Sequence, residues 1–383
     1  MATIKQTWNN TPRLAQVLFV IILVALVPPV LGVAEQATDF GILTSVNRAL
    51  IYVVLALGLN VVIGFAGLLD LGYAAFFAIG AYVFGILTWP NHGIELSFFI
   101  AIWICAFAAS MFGLLIGAPT LRLRGDYLAI VTLAFGEIVP IVVRNLDDIT
   151  IRIGGWTLIE NFNLTNGTQG MNPLGRPQFG LFEDVFQLKP GTLAVTTDPK
   201  FWFFVIVLTA AVVLFASKRL DNSRLGRAWK AIREDETAAD FMGVDPIRTK
   251  LLAFAIGASF SGLAGAVFAS MIQFISYEMF RFQTSIFLVI IVILSGTGSV
   301  YGVLIGGLII STFDTIFLAQ VLPKYLPASV DVASLRWVFF GAGLVVITIF
   351  RPQGLFPVGT AGRAIPDAEV SGVPLKLERE ITD

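Results

Sequence analysis

Residues 97–118 read SFFIAIWICAFAASMFGLLIGA, an unbroken run without a single charged side chain. An α-helix rises about 1.5 Å per residue, so about 20 apolar residues cross the ~30 Å hydrocarbon core of a bilayer. The run is long enough to do so. We therefore predict a transmembrane helix over 97–118.

Nine further runs have a similar composition. The first follows Lys5 and Arg13, and we interpret it as a membrane helix rather than a signal peptide because so many more follow. The run 285–298 is short and ends in a Gly/Ser-rich turn, which is typical of a broken or re-entrant segment. The nine runs are 14–33, 44–64, 71–88, 127–143, 201–217, 251–272, 285–298, 302–321 and 336–350. The sequence thus predicts an all-α polytopic membrane protein with about ten transmembrane helices.

The composition supports a membrane protein and excludes several other classes. Of the 383 residues, 56% are hydrophobic and 13% are charged, whereas soluble domains carry roughly a quarter charged residues. One cysteine, Cys105, and one histidine, His92, leave no internal disulfide and little scope for a metal site or histidine catalysis. No phosphate-binding loop of the G-x-x-x-x-G-K-[ST] type occurs. We expect no cofactor, no bound metal, no nucleic-acid partner and no catalysis by this chain alone.

The distribution of Lys and Arg sets the orientation. The segment 218–250 carries eight basic residues, and such segments stay on the cytoplasmic side. With an even number of spans both termini are then cytoplasmic. The expected organisation is a membrane half over 1–143, a long outer loop over 144–200, a second membrane half over 201–350 containing the inner loop 218–250, and a cytoplasmic tail over 351–383.

Two rows of small residues repeat every four positions. They are Gly257, Ser261, Gly265 and Ala269, and Cys105, Ala109, Gly113 and Gly117. Small residues let membrane helices approach closely. We interpret both rows as packing seams inside one subunit rather than as a substrate groove.

Four charged residues fall inside the predicted spans. Arg48 and Arg336 lie near outer helix ends, where a long side chain can reach the interface. Glu137 and Asp314 lie deeper, and a carboxylate in lipid costs about 2.5–3.5 kcal/mol on insertion scales. Either carboxylate could line a polar translocation path, or each could be held by a partner, for example Glu137 by Arg144.

The inner loop contains a charged segment with a helical pattern. Its sequence SRLGRAWKAIRED (223–235) is followed by ETAADFMG (236–243). Alanines permit close helix contact, and Gly243 ends a short helix before Pro246. A merely solvated loop would explain the charges but not this spacing, so we predict a short surface helix that docks into another protein.

This segment resembles the coupling loop of ABC importer permeases, in which Glu-Ala-Ala is followed by three residues and Gly. Glu236, Ala238, Ala239 and Gly243 match that pattern, with Thr237 inserted. Further blocks resemble the branched-chain amino acid permease family, in its member with the longer outer loop. These blocks are GFAGLLDLGYAAFFAIGAY (64–82), LRLRGDYLAIVTLAFGEI (121–138), LGRAWKAIREDETAADFMGV (225–244), KLLAFAIGASFSGLAGA (250–266) and RPQGLFP (351–357).

A shorter block in the outer loop is also similar to this family. TNGTQGM (165–171) resembles a Thr-Gly-Gly-x-x-Gly loop through Thr165, Gly167 and Gly170, with Asn166 in place of a glycine. Because the loop is expected outside, the resemblance implies that these residues face a substrate-binding protein.

The resemblance implies the ABC importer permease fold and the rest of a transport machine. A second permease subunit would complete a heterodimer, two separate ATPase subunits would dock on the coupling loops, and an extracytoplasmic protein would deliver substrate. The implied location is a bacterial inner membrane, and the implied cargo is branched-chain or other neutral amino acids. Alternatives are a urea or short-amide importer, a structural membrane scaffold, and a self-contained secondary transporter using Glu137 or Asp314 as a proton or cation site.

Overall fold

The structure is a computed structural model that describes most of the chain. The described residues are 13–38, 40–94, 96–121, 125–153, 156–177, 198–327 and 331–357. The predicted tail beyond residue 357, residues 178–197 of the predicted outer loop and the first twelve residues lie outside them.

Helices dominate these residues, and the only sheet within them is a two-stranded hairpin. Two helices continue into π-helical segments: Ile42–Asn60 continues into Val61–Phe65, and Val300–Thr312 continues into Phe313–Val321. A last turn, Leu322–Tyr325, follows the second of these segments. The strands are β1 (Ile149–Ile153) and β2 (Trp156–Phe162). The helices are α1 (Arg13–Thr38), α2 (Ile42–Asn60), α3 (Tyr73–Thr88), α4 (Phe98–Thr120), α5 (Asp126–Arg144), α6 (Pro199–Asp221), α7 (Arg224–Glu234), α8 (Glu236–Phe241), α9 (Pro246–Ile272), α10 (Phe282–Ser295), α11 (Val300–Thr312) and α12 (Val332–Phe350).

The predicted number of spans is confirmed within the described residues. Seven helices are long and apolar enough to cross a membrane, and three shorter apolar helices bring the total to ten. The segment predicted as 285–298 is a continuous helix that begins at Phe282 and ends at Ser295. Residues 296–299 instead form a turn, because Gly296 and Gly298 adopt positive φ angles of 119° and 85°.

Polar caps followed by proline define where the two helices α6 and α9 begin. The Asp198 side chain accepts a hydrogen bond from the Lys200 amide at 2.8 Å, ahead of Pro199 in the first turn of α6. Asp245 and Pro246 repeat this arrangement at the start of α9. A side-chain acceptor satisfies an amide that has no partner within the helix, and proline lacks the amide altogether. The Asp245 cap therefore marks the end of the charged segment that lies between α6 and α9.

Helix α9 lies at the centre of the bundle and packs through two small faces. A Cβ added to Gly262 would lie 2.4 Å from the Ala109 Cβ of α4. On another face, a Cβ added to Gly265 would lie 2.6 Å from the Phe77 carbonyl oxygen of α3. The two rows of small residues are therefore packing seams, as predicted. The second packing face of α9, which passes through Gly262, was not predicted from the sequence.

The segment after α5 contains two short strands. Strands β1 and β2 pair antiparallel, and Ile153 opposite Trp156 is the last pair of the ladder. Farther along, Met171 and Ile275 exchange two backbone hydrogen bonds of 3.0 and 3.2 Å. This bridge ties the loop to the segment that connects α9 with α10.

Candidate functional site

The candidate site is the segment between α6 and α9, residues 222–245, which we call the connecting segment. Ser223 caps α7 by accepting from the Gly226 amide at 3.1 Å. Asp235 caps α8 by accepting from the Thr237 and Ala238 amides at 2.9 and 3.0 Å. Two capped helices in one short connection make the segment an ordered element rather than a loose loop.

Helix α7 is anchored by Trp229, which is fully buried. Its ring stacks on Phe65 with centroids 6.3 Å apart and planes 14° from parallel. Its indole Nε1 donates a hydrogen bond to the Thr249 carbonyl at 2.7 Å. Because Phe65 ends the first π-helical turn and Thr249 lies in the first turn of α9, one side chain fixes α7 to both.

Two of the four residues that match the coupling-loop pattern face the chain itself. The Glu236 carboxylate lies 2.8 Å from the Lys250 ammonium group, whose side chain is 8% exposed. Ala239 is buried, which leaves Ala238 and Gly243 on the exposed side of α8. Gly243 ends the segment with a positive φ of 85°.

The tip of the connecting segment carries two large apolar side chains that the sequence analysis did not single out. Phe241 is 88% exposed and Met242 is 85% exposed. They lie next to each other at the end of α8, within an otherwise charged stretch. That contrast was a signal available in the sequence, because adjacent exposed apolar side chains mark interaction sites.

Arg233 joins the connecting segment to two interruptions of the membrane helices. Its guanidinium Nη1 donates to the Gly64 carbonyl in the first π-helical turn. The Asn60 side-chain oxygen accepts from the Gly298 amide at 2.9 Å, which binds the α10–α11 turn to the same place.

The C-terminal block 351–357 meets this turn from another side. The Leu355 and Phe356 amides donate to the carbonyls of Leu294 and Ser295 at 2.8 and 2.9 Å. These carbonyls lie in the last turn of α10 and have no partners within that helix. The block therefore caps α10.

A buried carboxylate, Asp70, also lies in a connection between two helices. Its Oδ1 accepts from the Gly72 amide at 2.9 Å, whereas Oδ2 has no hydrogen-bond partner among the described residues. Burial raises the pKa of Asp70 to about 7. The sequence analysis quoted this residue within a family block but assigned it no role.

Glu137 lies on the exposed side of α5. The suggested partner Arg144 does not hold it, because the Arg144 guanidinium lies 5.5 Å above the ring of Tyr277 instead. Ile138 and Ile141 are exposed on the same helix, at 48% and 55%. The carboxylate thus stands on an apolar helix surface without an ion-pair partner in the described part of the chain.

Asp314 has a different environment from Glu137. It is 3% exposed and forms an ion pair with Arg336 of α12. The Arg336 guanidinium also lies 5.2 Å above the Phe287 ring. Arg336 thus contacts a buried carboxylate and an aromatic face, while its side chain stays 34% exposed. Its reach to the membrane interface stays a prediction.

The three residues expected to face a binding protein are packed inward. Thr165 is buried and donates to the Val143 carbonyl at 2.7 Å, while Gly167 and Gly170 are buried with positive φ angles. Asn166 takes the left-handed conformation at φ 58°, which asparagine tolerates better than most residues. Thr168 and Gln169 are the exposed members of this loop.

The described residues contain no group of three or more His, Cys, Asp or Glu side chains that could hold a metal ion. Cys105 is buried within α4 and carries a free thiol. What the geometry offers is a short helix, α8, that is held by contacts to α9 and ends in two exposed apolar side chains.

Comparisons with known proteins agree with this geometry. The family described as branched-chain amino acid transport system / permease component matches residues 41–348. The high-affinity branched-chain amino acid transport system permease protein LivM of Escherichia coli (strain K12) is 38% identical, over 85% of this chain and 71% of its own length.

More distant relatives match over a similar range. The probable branched-chain amino acid transport permease protein LivM of Methanocaldococcus jannaschii is 26% identical, over 80% of this chain and 90% of its own. The permease protein LivH of the high-affinity system of Salmonella typhimurium is 25% identical, over 79% and 90%. No solved structure matches the chain. With a family match over most of its length and ten apolar helices, the chain belongs to the permease-component family of branched-chain amino acid transport systems and is a polytopic membrane protein.

Proposed function

We propose that this chain is a permease subunit of an ATP-driven importer that moves branched-chain or other neutral amino acids across a bacterial inner membrane. A second, related permease subunit completes the pathway, two separate ATPase subunits supply energy, and an extracytoplasmic protein delivers substrate. The names of the relatives support this cargo and the pairing, since both LivM and LivH proteins of one transport system resemble the chain.

The apolar tip of the connecting segment carries the proposal. Phe241 and Met242 are almost fully exposed, while α7 is fixed by Trp229 and α8 by Glu236. Covering such a side chain with a partner contributes roughly 1.5–3 kcal/mol. A firmly held helix that ends in exposed apolar side chains is the arrangement expected of a docking site. We assign an ATPase subunit as the partner that binds there.

The same proposal sets the orientation of the chain. The connecting segment and its basic residues lie in the cytoplasm, together with both termini, while the hairpin and the loop around Thr168 lie outside. Thr165, Gly167 and Gly170 then shape the loop that presents Thr168 and Gln169 to the binding protein.

We assign different roles to Glu137 and Asp314, the two carboxylates that lie deep within the predicted spans. Glu137 lines the translocation path, because its exposed carboxylate needs water or a polar partner at that depth. Asp314 lies near that path but forms an ion pair with Arg336. Its main contribution is therefore to hold α12 against the π-helical segment Phe313–Val321.

Replacing the tip tests the docking role. In the double variant Phe241→Ser, Met242→Ser, two apolar contacts are lost, so we expect ATPase binding to weaken about 100-fold and ATP-dependent leucine uptake to fall with it. Co-purification of the ATPase subunit and uptake of radiolabelled leucine by proteoliposomes containing the complete transporter are the measurements.

Ile247→Ser provides the matched control, since Ile247 is 49% exposed in the first turn of α9, away from the tip. This variant should bind the ATPase and transport like the unaltered chain. Undiminished ATPase binding by the double variant would exclude the tip as the docking site. Absence of ATP-dependent uptake by the unaltered transporter would exclude the proposed function itself.

A further inference from the structure

Two interruptions of the membrane helices meet beside the connecting segment. The first is the π-helical turn Val61–Phe65 that continues α2, and the second is the turn 296–299 between α10 and α11. The Asn60 side chain, 1% exposed, bonds the Gly298 amide and joins the two. Helices bend at such interruptions more readily than along regular turns.

Arg233 is exposed, and one side of its side chain lies against both interruptions. It bonds the Gly64 carbonyl through Nη1. A Cβ added to Gly298 would lie 3.1 Å from that same nitrogen, and a Cβ added to Gly67 would lie 2.7 Å from the Arg233 Cγ. Gly67 and Gly298 also have positive φ angles, so a side chain at either position would be strained as well as close to the arginine.

The hydrogen bond of Arg233 goes to backbone, and no described carboxylate pairs with its guanidinium. A guanidinium with five donors on a rigid fork positions a backbone segment more firmly than a single-point donor does. Arg233 lies in the last turn of α7, two residues before the cap of α8, so it cannot shift independently of α8.

We propose that Arg233 is the positioning residue through which movement of α8 reaches the membrane helices. The inference rests on the proposed function, in which α8 receives the ATPase subunit. When α8 is displaced, Arg233 moves the π-helical turn of α2 and, through Asn60 and Gly298, the α10–α11 turn. The covalent link and the Glu236–Lys250 pair connect α8 to α9, and Trp229 connects α7 to Phe65 and α9. Arg233 differs from these contacts because it also lies beside Gly298 of the α10–α11 turn.

Separate measurements of docking, hydrolysis and transport test this role. In Arg233→Gln, assembled with all partner subunits in proteoliposomes, we expect normal ATPase co-purification and normal ATP hydrolysis. Radiolabelled leucine taken up per ATP hydrolysed should fall about tenfold, within the range typical of coupling between distant sites. Arg233→Lys, which keeps the charge and one donor, should recover part of the loss.

Arg224→Gln is the control, because Arg224 lies exposed at the start of the same helix and loses the same charge. It should leave uptake per ATP unchanged.

Uptake per ATP that is unchanged in both Arg233 variants would overturn the proposal, as would loss of ATPase co-purification in Arg233→Gln. If Arg233→Gln does not accumulate in the membrane, Arg233→Lys decides alone: a fall in uptake per ATP supports the role and an unchanged value excludes it. Absence of ATP-dependent uptake by the unaltered transporter, in contrast, would refute the proposed function on which this inference rests.

Discussion

At the scale of single residues, one set of side chains in the connecting segment holds it against the chain, and a different set is exposed. Glu236 and Ala239 face the chain, where the carboxylate holds Lys250 and the methyl group packs inward. Phe241 and Met242 face away from it. Two residues of the Glu-Ala-Ala pattern therefore hold the segment against the chain, and the residues that we propose meet a partner lie just after it.

Gly243 allows a direct test of this division. Its φ of 85° strains any residue with a Cβ by roughly 1–2 kcal/mol, although no atom lies within 4 Å of the Cβ position. We expect Gly243→Glu to lower ATP-dependent uptake severalfold by adding strain and a charge beside the tip. Gly243→Asn, which tolerates positive φ, should retain most uptake at equal expression; equal uptake by both variants would contradict this role.

The pair Glu236–Lys250 should matter for stability. Removing the carboxylate leaves the nearly buried Lys250 ammonium without its partner, so Glu236→Ala should destabilise the chain by about 2 kcal/mol. A thermal melt of the purified chain in detergent measures this. Glu234→Ala, at an exposed neighbouring carboxylate, should melt like the unaltered chain. A melt of Glu236→Ala that equals the control would show that the pair adds nothing.

At the scale of elements, the exposed faces of two neighbouring helices differ in kind. The exposed residues of α4 are large and apolar, as lipid requires; they include Phe99, Ile100, Trp103, Phe107, Met111 and Leu115. The exposed face of α5 carries Glu137 among isoleucines. Because a carboxylate at that depth is costly in lipid, α4 is suited to the bilayer and α5 to a polar neighbour.

Glu137 should affect transport without affecting the fold. We expect Glu137→Gln to reduce leucine uptake about tenfold, the value of one charge-assisted contact, while the melting temperature in detergent stays unchanged. Glu137→Asp keeps the carboxylate and should restore part of the activity. Full uptake by Glu137→Gln would remove the residue from the translocation path.

Asp314 should show the opposite behaviour. It lies in the π-helical segment Phe313–Val321, and its carboxylate neutralises Arg336 of α12. We expect Asp314→Asn to destabilise the chain by about 2 kcal/mol, less than for a fully buried pair because the Arg336 side chain is 34% exposed.

The double variant Asp314→Leu, Arg336→Met replaces the pair by apolar side chains and should recover most of that stability. Melting in detergent is again the measurement. Lost uptake by Asp314→Asn at an unchanged melting temperature would return Asp314 to the translocation path.

At the scale of the whole molecule, the length of the apolar runs is what allowed the helices to be predicted from the sequence. Ten runs became ten helices because a run of about 20 apolar residues has few other stable placements. The contact of Arg233 with Gly64 joins residues 169 positions apart, and the Asp314–Arg336 pair joins two different helices. Such pairs follow from tertiary packing, which no local pattern encodes. The inward packing of Thr165 was hidden for the same reason.

The orientation of the whole chain can be settled by chemical labelling. The chain has one cysteine, Cys105, so a Cys105→Ala background is free of thiols. Thr168 is exposed on the loop after the hairpin, and Phe241 is exposed at the tip of the connecting segment. With the basic connecting segment inside, Thr168→Cys should react with a membrane-impermeant maleimide on intact cells. Phe241→Cys should react only after lysis, and the reverse pattern would place the connecting segment outside, where no ATPase could reach it.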